Sequence, residues 1–122
     1  MGRTILIVED DPKSMTLTRD MLSVSGFATL QATDGSQGVA LAKAAKPDLI
    51  LMDIMMPKKD GYTACQDIKT DPSTKNIPVV MLTAVGYELN KKLAANVGAN
   101  GYVTKPFDRK GLLDAISPLL PA

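Results

Sequence analysis

A chain of 122 residues fits one domain with a single core. With 14 Lys and Arg against 13 acids the net charge is +1, which leaves neither the basic footprint of a nucleic-acid binder nor an acidic tail. No apolar run approaches the roughly 18 residues a membrane helix needs, so no membrane insertion is expected. Cys65 is the single cysteine and excludes an intrachain disulfide, which fits a reducing cytoplasm. Histidine is absent, which removes imidazole acid–base catalysis and His metal ligation from this chain. The start, Met1-Gly2-Arg3-Thr4, runs directly into strand-like sequence and lacks the apolar stretch of a signal peptide.

In chain order, Ile5-Leu6-Ile7-Val8 predicts a buried strand at about 4–8. A helix follows, carrying Met15, Leu17, Met21, Leu22 and Val24 and stopped by Gly26. A weaker strand at about 28–32 precedes a second helix, capped by Asp34 or Ser36 and ended by Pro47. Leu49-Ile50-Leu51-Met52 predicts a third strand at about 48–52. The third helix bears Ala64, Cys65 and Ile68 and stops before Asp71-Pro72; Cys65 is read as a core residue. A strand at about 78–82, a helix at about 86–97 ending at Gly98, and a strand at about 101–104 come next. A last helix with Leu112, Leu113, Ile116 and Leu119 runs toward Pro121. Five strands alternating with five helices predict an α/β fold of parallel βαβ units with helices on both faces. Residues 1–122 read as one domain, either a whole protein or the excised module of a longer one.

In open α/β sheets ligands bind at the carboxyl ends of the strands. There this chain places Glu9-Asp10-Asp11, Asp53, Thr83 and, after the fifth strand, Lys105. Acids, a hydroxyl and an ammonium on one edge suit a carboxylate that accepts a phosphoryl group, because phosphoryl transfer asks mainly for positioning and charge neutralisation. Asp53 is the candidate nucleophile, and Asp53 with Asp10 can offer hard oxygen ligands to Mg²⁺. Asp11 precedes Pro12 and reads as the cap of the first helix rather than as a metal ligand.

Four blocks, in this order and spacing, carry a resemblance: Ile5-Leu6-Ile7-Val8-Glu9-Asp10-Asp11; Asp53-Ile54-Met55-Met56-Pro57 with Gly61; Thr83-Ala84; and Tyr102-Val103-Thr104-Lys105-Pro106-Phe107. From the first strand to the last helix the chain resembles the receiver domain of two-component response regulators, in the manner of single-domain chemotaxis-type regulators. The resemblance implies a doubly wound, flavodoxin-like five-stranded parallel sheet of order 2-1-3-4-5. It also implies a phosphorylation-activated switch that is not a turnover enzyme. Asp53 would be the phosphoacceptor. Mg²⁺ would be held by Asp10, Asp53 and the backbone carbonyl of Met55, with Glu9 acting mostly through a water. Thr83 and Lys105 would meet the phosphoryl oxygens, Ala84 would leave room for them, and the Lys105–Pro106 bond would be cis. Thr83 and Tyr102 would form the switch, relaying the signal to the face made by the helix at 86–97, the fifth strand and the last helix. Met55 and Val85, at positions that tune dephosphorylation, are poor water-binding groups and imply a phosphoryl group that is not unusually short-lived. The implied partners are a histidine kinase or histidine phosphotransfer protein, docking where Met15 and Leu17 begin the first helix, and a downstream effector protein. Direct nucleic-acid contact is not implied.

Two other classes fit less well. A phosphohydrolase similar to the haloacid dehalogenase class would place an acid two residues after the nucleophile, where this chain has Met55. A flavin- or nucleotide-binding module would want a Gly- or hydroxyl-rich loop after the first strand, where Glu9-Asp10-Asp11-Pro12 would repel phosphate without a metal.

Overall fold

A computed structural model describes residues 3–54, 60–84, 96 and 98–120. Five parallel strands, β1 (Thr4–Val8), β2 (Ala28–Ala32), β3 (Leu49–Asp53), β4 (Val79–Ala84) and β5 (Gly101–Lys105), form one sheet in the order β2-β1-β3-β4-β5. The expected topology is therefore the observed one. Four α-helices lie within the described residues: α1 (Pro12–Val24), α2 (Gly35–Ala45), α3 (Gly61–Thr70) and α4 (Arg109–Ile116). Nearly all of the helix predicted at 86–97 lies outside them.

The continuously apolar strands are explained by burial on both faces. Alternation sends Leu6, Val8, Ile50, Met52 and Met81 to one side, where Val39 and Ala42 of α2 and Ala64, Cys65 and Ile68 of α3 cover them. Ile5, Ile7, Leu49, Leu51, Val80 and Leu82 point to the other side, under Met15 and Leu22 of α1 and Leu112 and Ile116 of α4. Cys65 is core, as expected, and burial pushes its thiol up to about 11, which leaves it unreactive. Met15 is core as well, so of the two residues proposed for docking on the first helix only Leu17, 61% exposed, faces outward.

Each described α-helix begins at an aspartate whose side chain accepts from the amide three residues on. These caps are Asp11 to Ser14 (3.0 Å), Asp34 to Gln37 (2.8 Å), Asp60 to Thr63 (2.8 Å) and Asp108 to Gly111 (2.7 Å). Such a cap contributes about 1 kcal/mol. It resolves the choice at the second helix in favour of Asp34, since Ser36 lies inside the helix.

Several boundaries differ from the expected ones, β3 among them, which spans Leu49–Asp53 rather than 48–52. β4 runs on through Thr83 and Ala84, and β5 through Lys105, because the parallel ladder pairs Thr83 with Thr104 and Ala84 with Lys105. The final α-helix ends at Ile116 and passes into a 3₁₀ turn at Ser117–Leu119, where Pro118 lacks the amide an α-helix needs.

At the end of α2, Lys46 adopts a left-handed conformation, φ 47° and ψ 65°. A side chain there costs energy that glycine avoids. Lys46→Gly removes a left-handed penalty of about 1–2 kcal/mol and adds roughly 0.5–1 kcal/mol of unfolded-chain entropy, so it should stabilise the fold by roughly 0.5–1 kcal/mol. A thermal melt checks this, and a lowered midpoint would refute it.

Candidate functional site

β1 and β3 are adjacent, with Val8 beside Met52 in register, so the residues that follow Val8 emerge next to Asp53. The Glu9 amide donates to the Ala32 carbonyl at 3.0 Å, which holds the chain in line with β2 for one more residue. Asp11 then turns away as the cap of α1, with Pro12 in the first turn, as its sequence context predicts. Glu9, Asp10 and Asp53 each place one carboxylate oxygen within 4.8 Å of the others. Asp10 is exposed, whereas Glu9 and Asp53 are 1% and 8% exposed.

Lys105 reaches this cluster from the far end of β5. Its Nζ donates to Glu9 Oε1 at 2.5 Å and lies 3.7 Å from Asp53 Oδ2. The Lys105–Pro106 bond is cis, as the resemblance implies. Glu9 Oε2 also accepts from the Asp11 amide at 3.3 Å. Burial pushes the Glu9 carboxyl up, but the Lys105 ammonium, through its hydrogen bond and its charge, and the Asp11 amide outweigh it and hold Glu9 below its ordinary value. The structure thus gives Glu9 a role that sequence alone did not show: it is the buried partner of Lys105.

Among the described residues three carboxylates face one ammonium, an excess of two negative charges in the ionised cluster that one divalent cation would balance. The donors are all oxygen and one is open to solvent, which suits a hard ion that keeps several waters. The residues present therefore fit Mg²⁺. Met55 and Val85 lie outside the described residues.

Thr83 is buried at the end of β4, one position past the level at which Leu82 pairs with Asp53. Ala84 follows it in the same strand. Tyr102 sits diagonally across from Thr83, with its ladder partner at Met81, and is 43% exposed. With Thr104, Phe107, Gly111 and Ala115 it lines a shallow groove of about 420 Å³ between β5 and α4.

The site occupies one edge of the sheet, joining the acids of two strands to the lysine of a third. A sequence profile of the response regulator receiver domain matches residues 5–117, so the chain belongs to that family. It is a receiver domain of two-component systems, a class of signalling module that works as a phosphorylation-dependent switch. The chain is 45% identical over 116 residues to the DNA-binding dual master transcriptional regulator RpaA of Synechocystis, covering 95% of this chain and 48% of that protein. It is 41% identical to protein PilH of Pseudomonas aeruginosa, covering 95% of this chain and 96% of the relative. The chain thus spans about half the length of the first relative and nearly all of the second. Among solved structures, the receiver domain of a sensor histidine kinase from Pseudomonas aeruginosa PAO1 superposes with a TM-score of 0.87 at 34% identity, covering 93% of each chain. That protein coordinates a magnesium ion in its active-site cleft. Among the described residues no helix is long and apolar enough to cross a membrane.

Proposed function

We propose that residues 1–122 act as one receiver unit in which Asp53 accepts a phosphoryl group from a partner's phosphohistidine. The observation that carries this reading is the convergence of Glu9, Asp10 and Asp53 with Lys105. An Asp53 carboxylate oxygen attacks phosphorus as the bond to the partner's imidazole nitrogen breaks. The imidazole keeps the electron pair and the product is an acyl phosphate. Mg²⁺, held by Asp10, Asp53 and the Met55 carbonyl with Glu9 nearby, would neutralise charge on the phosphoryl oxygens when bound. Lys105, already within reach of Asp53, turns its ammonium to a phosphoryl oxygen. The Thr83 hydroxyl donates to another, and the small Ala84 leaves space. The donor is a histidine kinase or histidine phosphotransfer protein, and Leu17 gives α1 an outward apolar contact for it. The low net charge and single cysteine fit work in the cytoplasm, with output through protein contact rather than through nucleic acid. With no acid at Met55 to protonate a leaving group, the site suits storage of the phosphoryl group better than turnover.

Incubation with acetyl phosphate and Mg²⁺ tests this reading. The expected product carries one phosphoryl group, lost on treatment with hydroxylamine, and none without Mg²⁺. Absence of any such label under saturating donor would overturn the reading.

Thr83 and Tyr102 are proposed as the switch. When Thr83 is drawn to the phosphoryl group, the half-exposed Tyr102 turns inward and the groove beside α4 changes shape, a two-state element biased by local charge. Thr83→Ala should accept phosphate but lose the phosphorylation-dependent change at Tyr102, read by NMR of its ring protons. A wild-type response in Thr83→Ala would remove Thr83 from the switch.

A further inference from the structure

We infer that Gly61 is a positioning residue for the phosphoacceptor, an inference that rests on the proposed role of Asp53. Gly61 opens α3, and its amide donates to the Ile54 carbonyl at 3.0 Å, so the chain leaving Asp53 comes back against its own starting point. A Cβ on Gly61 would lie 2.2 Å from the Asp53 carbonyl oxygen, 2.8 Å from Ile54 Cα and 2.9 Å from the Asp53 carbonyl carbon. All three are backbone atoms, and none can rotate aside. The demand is for space, since Gly61 is not among the glycines of positive φ, Gly26 and Gly98. Gly38 offers a contrast. A Cβ there would meet Val8 Cγ2 at 2.8 Å, a side-chain methyl with some freedom to move.

Neither partner in the Gly61 contact yields easily. Asp53 is held in the ladder opposite Leu82, between β1 and β4. α3 is anchored by the fully buried Ala64, Cys65 and Ile68 and by the Asp60 cap. An added methyl must therefore lift the start of α3 or push the Asp53 backbone toward the sheet. Either movement changes the spacing of Asp53 from Glu9, Asp10 and Lys105. Displacements of this kind cost about tenfold or more in metal affinity and in rate.

The test uses the full chain, Mg²⁺ binding by calorimetry and phosphorylation by acetyl phosphate, at a temperature where circular dichroism shows each variant folded. Gly61→Ala should bind Mg²⁺ about tenfold more weakly and phosphorylate at least about tenfold more slowly. Ile68→Ala opens a cavity on the same helix away from Asp53, so it should lower the melting midpoint yet keep both readouts within about twofold. If Gly61→Ala does not fold, Asp60→Ala loosens the same helix start without adding an atom. It should weaken both readouts about threefold, with rescue by Asp60→Ser, which caps without charge. Folded Gly61→Ala with wild-type affinity and rate would overturn the inference. So would Asp60→Ala and Ile68→Ala impaired alike, which marks a merely structural role. Magnesium affinity reports the geometry even if Asp53 takes no phosphoryl group, so failure of the switch reading is seen separately.

Discussion

Asp53→Asn should take no phosphoryl group from acetyl phosphate while remaining folded and gaining thermal stability in Mg²⁺-free buffer. The amide matches the carboxylate in shape, so β3 and its place beside Val8 and Leu82 are undisturbed. It has no anionic oxygen to attack phosphorus, so labelling falls to background. It also removes one negative charge from a cluster in which, among the described residues, Glu9, Asp10 and Asp53 face one lysine. Relief of that repulsion should raise stability by about 1 kcal/mol, and Mg²⁺ should bind more weakly for the same reason. Intact-mass measurement after acetyl phosphate treatment, beside a thermal melt, checks both halves. Retained labelling at full stoichiometry would refute the assignment of Asp53, and a lower midpoint would refute the charge picture.

Lys105→Met should have the largest effect on stability and reverse its dependence on pH. Glu9 is 1% exposed, and its near oxygen receives the lysine at 2.5 Å. Removing the cation strands a buried carboxylate, which costs about 2–3 kcal/mol once the partial exposure of Lys105 is allowed for. In the wild type the folded-state value of Glu9 lies below its ordinary 4.5. Its contribution is therefore present above that pH and is lost only as pH falls through the lower folded value. In Lys105→Met burial pushes Glu9 upward with less to oppose it. The variant's fold is then favoured below the ordinary glutamate value and weakens as pH rises through the raised folded one. Denaturant unfolding in Mg²⁺-free buffer between pH 4 and pH 7 should show the variant's deficit growing with pH. A deficit that is flat or shrinks over that range would sink the prediction.

Much of this architecture was legible from periodicity. Runs such as Leu49-Ile50-Leu51-Met52 announce strands buried on both faces, and alternation with amphipathic helices leaves a parallel, doubly wound sheet as the economical fold. The Asp-Pro pair at Asp11 and Pro12 announced a helix start, which the Ser14 hydrogen bond realises. The apolar runs end one or two residues short of Ala84 and Lys105, where β4 and β5 stop. Polar and small residues break an apolar run without breaking a ladder, and only pairing with the neighbouring strand decides where it stops. The caps at Asp60 and Asp108 likewise do not show in the apolar pattern, although an aspartate just before a helical run is a local signal for them.

The chain's sequence by itself determined the chemistry available: which acids, which hydroxyl and which lysine lie at strand ends, and that no histidine can join them. Those are properties of residue type and order. What only the tertiary structure decided is who partners whom. Lys105 and Glu9 lie 96 positions apart, and their pairing depends on β3 and β4 standing between their strands. The need for glycine at position 61 arises where a helix start meets the backbone that carries Asp53. Periodicity reports one element at a time, while a buried ion pair and a backbone contact are relations between elements. They come into being only when the sheet closes its order and the helices dock upon it.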